Sequence, residues 1–108
     1  MVTKIVSLKS TEDVICGLEP IRVEGQVVGY ELYEPRLVSF SEVRTFTEQV
    51  DPTAVSINFR KWQLFSEDTK YQIPADWVVT ICEPLPQLKL SYEEKLEEHE
   101  RTMSALSE

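Results

Sequence analysis

Basic and aromatic side chains interleave at one place in the chain, Phe59-Arg60-Lys61-Trp62. Two cations can hold phosphate and two rings can stack on bases, which is how single-strand binders grip nucleic acid. Lys70-Tyr71, in the stretch before the last predicted strand, offers the same chemistry on a smaller scale. Arg60, Lys61, Trp62, Lys70 and Tyr71 are therefore the candidate nucleic-acid contacts. The competing structural reading makes Phe59 and Trp62 core residues around a bend, with two solvated cations between them.

Other residue types with catalytic or ligating potential are poorly placed. The one histidine, His99, falls on the apolar stripe of a predicted helix and reads as a residue at a helix seam. The carboxylate pairs Glu93-Glu94 and Glu97-Glu98 fall on the polar side of the same helix, where they read as a solvated face. Cys16 and Cys82 sit in apolar runs with no CxxC spacing and no nearby histidine, so both are expected as small reduced core residues. A disulfide would require their strands to be neighbours. Three glycines, Gly17, Gly25 and Gly29, do not make a phosphate loop. The sequence is read as that of a non-enzyme with no cofactor and no metal.

These residues must be positioned by one domain. The length of 108 residues suits a single core, and 42% hydrophobic with 28% charged residues is ordinary for a globular protein. No apolar run approaches the ~20 residues that cross a bilayer, and no secretory signal is read at Met1 to Ile5. The net charge of −8 argues against sequence-independent clamping of duplex DNA. Residues 1–83 carry 8 basic and 13 acidic side chains, so the acidity is not confined to the C-terminal segment.

Residues 1–83 read as strands. Val6 and Leu8, then Val14, Cys16 and Leu18, alternate across the polar turn Ser10 to Asp13, which predicts a hairpin. Ile21 and Val23 continue the second strand beyond a bend at Gly17 to Pro20. Gly25 is placed to take positive φ in a turn. Val28, Tyr30 and Leu32 alternate up to Pro35, and a strand from about Arg36 to Phe46 follows. Asp51-Pro52 reads as a loop. Val55, Ile57 and Phe59 alternate clearly, and the change of parity at Trp62 predicts a bulge or bend at Arg60-Lys61. Ser66 to Asp76 reads as a polar loop, and Trp77, Val79 and Ile81 as the last strand.

Beyond Pro84, the spacing of Leu85, Leu88, Tyr92, Leu96, His99, Met103 and Leu106 traces one helical stripe, with Pro86 in the first turn and Glu97-Arg101 as an i, i+4 pair. The expected fold is mostly β: a strongly bent, five-stranded small barrel over residues 1–83 and an amphipathic helix over 84–108, forming one domain.

The pattern Val6-Ser7-Leu8-Lys9-Ser10 followed by Val14, Cys16 and Leu18 resembles the first motif of Sm-like proteins. Thr11 stands where that family has its turn glycine, and Gly17 is one place late. Leu8-Lys9-Ser10 with Pro74-Ala75-Asp76-Trp77-Val78-Val79-Thr80-Ile81 is similar to Sm-like proteins carried by marine cyanophages. The resemblance implies a bent five-stranded SH3-like barrel that closes into a homo-oligomeric ring and binds single-stranded nucleic acid, RNA foremost. It also implies a cytoplasmic location, in the bacterial host if the chain is phage-encoded. The family's RNA-reading Asp and Asn are not matched at Glu24-Gly25-Gln26, and its Arg-Gly pair is missing before Trp77, so no family contact residue is carried over. The alternative from another class is a structural or adaptor protein whose partners are proteins, with the acidic helix as its docking element.

Overall fold

The computed structural model describes the backbone of residues 2–44 and 50–106, and the side chains of residues 2–39 and 57–98. Six strands form one antiparallel sheet followed by one helix: β1 (Val2–Leu8), β2 (Asp13–Val23), β3 (Gln26–Arg44), β4 (Val50–Lys61), β5 (Lys70–Pro74), β6 (Val78–Cys82) and α1 (Pro86–Leu106). The hydrogen-bonded order is β4-β3-β2-β1-β6, with β5 also paired to β3.

The β1–β2 hairpin follows the alternation of its sequence, with Val6 opposite Val14 and Lys4 opposite Cys16. Thr11 closes its turn at φ 70, a conformation costly for a β-branched residue. β2 and β3 are joined by Glu24-Gly25, at φ 52 and 81, between the paired Val23 and Gln26. Positive φ at both turn positions matches the right-handed twist of the strands, as in a type I′ turn.

β3 is the organising strand, and its facing changes midway. Tyr30 and Leu32 pack on the same cluster as Leu37, although their parity differs. The switch occurs at Glu34, which takes φ 47 ahead of the buried Pro35. Opposite it, the β2 register shifts between Ile15 and Gly17. One extra residue reverses the facing of everything beyond it. On its far edge β3 first pairs with β5, along Gly29 to Tyr33, and then with β4, along Arg36 to Arg44. The first pairing needs a glycine: a Cβ at Gly29 would lie 2.6 Å from the Ile73 carbonyl oxygen.

β5 is held by β3 and β6 by β1, yet only the 3-10 turn Ala75–Trp77 separates them. A three-residue link between strands on opposite sides of β2 requires the sheet to curl. The Lys9 amide, donating to the Trp77 carbonyl at 3.0 Å, ties this link to the β1–β2 turn. The ladder itself does not close, and the described structure is a curled six-stranded sheet where five strands in a closed barrel were expected.

Each face buries apolar residues. The inner face holds Val6, Leu8, Val14, Cys16, Leu32 and Ile73, with Leu18, Leu37 and Trp62 packed against them. The outer face places Ile5, Ile15, Val38 and Phe59 under Leu88, Tyr92 and Leu96 of α1. Pro86 opens α1, where the missing N–H costs nothing.

Several expectations are corrected. Asp51-Pro52 lies inside β4, not in a loop. No register shift occurs at Arg60-Lys61; the chain leaves the ladder after Lys61, and the Trp62 amide turns to the Pro35 carbonyl at 3.4 Å. The expected polar loop from Ser66 to Asp76 contains β5, whose single buried residue, Ile73, gives too short an alternation to read. Trp77 belongs to the 3-10 turn and β6 starts one residue later. Cys82 is exposed at the end of β6, an edge strand that packs on the core only through Val78 and is exposed from Val79 onward. Cys16 is buried as expected, and β1 stands between the two free thiols. Leu85, expected on the helix stripe, is exposed ahead of α1. The end of the strand expected to reach Phe46 and the side chains of His99, Arg101, Met103 and Leu106 lie outside the described residues.

Candidate nucleic-acid interface

Cross-strand register decides which candidate contacts share a face, because directly opposed residues project to the same side. Arg60 pairs with Leu37 and Tyr71 with Leu32, and both partners pack on the inner-face cluster. Trp62 packs on that cluster too. Lys61 pairs with Arg36 and Lys70 with Tyr33, on the opposite side. The structure therefore brings Arg60, Trp62 and Tyr71 to one side and sends the two lysines to the other.

Their chemistry divides in the same way. The Trp62 and Tyr71 rings meet edge to face, with centroids 5.6 Å apart and planes at 78°. The Trp62 indole N–H donates to Glu12 Oε1 at 3.4 Å, and the Tyr71 hydroxyl donates to the Asp68 carbonyl at 2.7 Å. Both rings are half-buried, so they form a wall with only part of their area open for stacking. Lys61 Nζ donates to the Ser66 carbonyl and braces the loop after β4. Lys70 Nζ lies 5.4 Å from the Tyr33 ring centroid and 3.9 Å from Glu31 Oε1. The Tyr33 phenol is raised above its ordinary pKa, chiefly by hydrogen bonding to the Glu31 side chain. Both lysine charges are thus partly engaged within the fold, whereas Arg60 is exposed and forms no ion pair among the described residues.

Arg60 lines an open groove of about 480 Å³ between the β1–β2 turn and the β3–β4 pair. Leu37 and Val38 give it an apolar component, Ser39 and Asn58 add polar groups, and Thr11, Glu12 and Asp13 contribute from the turn. Hydrogen bonds set both turn carboxylates: Ser7 Oγ donates to Asp13 Oδ1 at 2.6 Å, and Ser10 Oγ to Glu12 Oε1 at 2.8 Å. A second concavity, of about 390 Å³, shares Asp13, Val38 and Ser39 and continues to Ile5 and Leu88. The sequence offered no sign of this groove. Its walls come from segments that only the register of β2, β3 and β4 brings together.

Among the described residues, no three His, Cys, Asp or Glu side chains cluster closely enough to hold a metal, and no helix is long and apolar enough to cross a membrane. No protein-family model matches the chain, and no curated protein matches its sequence.

Proposed function

We propose that this chain is a non-catalytic, Sm-like module that assembles into a ring by strand-edge pairing and holds single-stranded nucleic acid, RNA foremost. The observation that carries the reading is that β4 and β6 end the hydrogen-bonded path β4-β3-β2-β1-β6, each with one edge unpaired among the described residues. β6 exposes Val79 and Ile81, and β4 exposes Ile57. β6 carries no charge or proline, and β4 carries none over Val55 to Phe59, between Asp51-Pro52 and Arg60-Lys61; such an edge is a template for another strand. Pairing β4 of one copy with β6 of the next is heterologous, so the assembly closes if the rotation per subunit divides a circle. On this reading the curled sheet is the subunit barrel, completed by its neighbours.

Arg60, beside the Trp62–Tyr71 wall, is the cation best placed to take a phosphate. One such site on an acidic protein binds weakly. A ring repeats it, and a strand that spans several copies gains avidity by orders of magnitude. Fluorescence anisotropy of labelled U-rich, A-rich and mixed RNA and DNA strands at low salt tests the reading. Binding that prefers single strands to duplex and weakens shallowly with salt supports it. No binding at tens of micromolar protein overturns it.

A second reading, an adaptor with protein partners, draws on one feature. Phe65 is fully exposed beside exposed Leu64 in the loop after β4. That loop is braced by the Lys61–Ser66 contact, by Ser66 N donating to the Gln63 carbonyl, and by Glu34 N donating to the Thr69 carbonyl at 2.7 Å. A rigidly presented aromatic is a fit anchor for a partner's pocket. Failure of every nucleic acid to bind would leave the adaptor as the standing reading.

A further inference from the structure

We propose that Ser39 and Asn58 grip the 2′-hydroxyl of the ribose beside the Arg60 phosphate, so that the site selects RNA over DNA. The inference rests on the nucleic-acid reading and adds the choice of sugar to it.

The register places these groups together. Asn58 pairs with Ser39 and Arg60 with Leu37, and opposed residues project to the same side. Ser39 stands two residues from Leu37 on β3, as Asn58 does from Arg60 on β4, with no register shift between the two pairs. All four therefore share the side on which Leu37 packs, the inner face. All four also line the same groove. Ser39, Asn58 and Arg60 are exposed, and among the described residues none of their side chains is paired with another. Glu12, on the turn wall of the groove, accepts the Trp62 indole N–H, so the groove is continuous with the aromatic wall.

That order of groups fits a stretch of sugar-phosphate backbone. A phosphate joins two nucleosides. With the phosphate on Arg60, one nucleoside lies toward Trp62 and Tyr71, where its base can stack. The other lies toward Asn58, about 6.7 Å along β4 from Arg60. Its ribose meets a hydroxyl and an amide, both neutral, each able to donate and to accept. The 2′-hydroxyl also donates and accepts, and it is the group that separates RNA from DNA. The same amide would not sort bases, because every standard base offers a donor beside an acceptor on its edge. A neutral pair next to one cation suits a sugar rather than a second phosphate.

The test uses the full chain with labelled nine-residue strands of uridine, deoxyuridine and 2′-fluorouridine, read by anisotropy at low salt. The base is the same throughout, and the fluoro strand keeps the RNA sugar pucker without the hydroxyl. The uridine strand is expected to bind about three- to tenfold more tightly than the deoxyuridine strand, the range of one neutral hydrogen bond. The fluoro strand should bind like the deoxyuridine strand. In the Ser39→Ala, Asn58→Ala double variant, uridine and deoxyuridine strands should bind alike. Arg60→Gln should weaken both strands and keep their ratio. Equal affinity of the wild type for uridine and deoxyuridine strands overturns the inference while leaving the nucleic-acid reading intact. So does a fluoro strand that binds like uridine, or an RNA preference that survives the double substitution. If no strand binds, both fail.

Discussion

The Tyr92 hydroxyl of α1 donates to the Glu34 carbonyl at 2.9 Å, with the Tyr33 carbonyl at 3.2 Å. Those carbonyls sit where β3 changes its facing, so the ladder does not serve them in the regular way. A buried carbonyl left without a donor is costly. The helix thus completes the irregularity that lets β3 pair with both β5 and β4. Tyr92→Phe should lower unfolding stability by about 1–3 kcal/mol, the cost of an unmet buried acceptor. Tyr92→Ala should cost about 3–5 kcal/mol, because it also empties the contact with Ile15 and Phe59. Urea denaturation measures both, and a Phe variant equal to wild type would show the hydrogen bond to be incidental.

Burial also sets an alkaline limit. The Cys16 thiol is pushed up to about 12 by desolvation, and the Tyr92 phenol is raised, chiefly for the same reason. In both cases the folded state keeps its proton to higher pH than the unfolded chain. Stability is therefore full below about pH 9 and falls as pH rises, by about 1.4 kcal/mol per unit for each group that has ionised only in the unfolded state. Urea midpoints should be flat between about pH 7 and 8.5 and should drop by pH 11. In Cys16→Ala the drop should begin near pH 10, where an ordinary tyrosine ionises. A midpoint unchanged up to pH 11 would contradict the buried, protonated pair.

The two cysteines should separate cleanly under a thiol reagent. Cys82 is exposed, whereas Cys16 is buried and protonated at neutral pH. One thiol per chain should react with Ellman's reagent at pH 8 under native conditions, and two in denaturant. Two fast thiols in the native protein would contradict the inner-face packing.

Much of the fold is legible in the sequence because it follows simple periods. The β1–β2 hairpin alternates at two, the Glu24-Gly25 turn carries its glycine, and Leu88, Tyr92 and Leu96 fall on one helical stripe. What escapes is non-periodic. A glutamate with positive φ before Pro35 has no sequence signature, yet it fixes the facing of half of β3. β5 is too short to show an alternation. Proximity along the chain groups the candidate contacts, and that grouping fails at a strand. Arg60 and Lys61 are neighbours in sequence but project to opposite sides.

That division has a direct consequence for binding. Lys61→Glu with Lys70→Glu changes two charges that face away from the inner side and are partly engaged. Arg60→Glu changes one that is exposed and beside the aromatic wall. Anisotropy at low salt should show the single substitution weakening strand binding more than the double one. The reverse order would move the binding surface to the Tyr33 side of the sheet.

The most direct measurement of the central claim is fluorescence-detected sedimentation velocity of a labelled twelve-residue U-rich RNA with the full chain at micromolar concentration and low salt. The account expects the RNA to travel with a species several times the 12.5 kDa chain mass. With Val79→Lys and Ile81→Lys together, which charge the β6 edge, that species and the bound RNA should be lost together. Protein that sediments as a 12.5 kDa monomer, with RNA at its free rate, would contradict it.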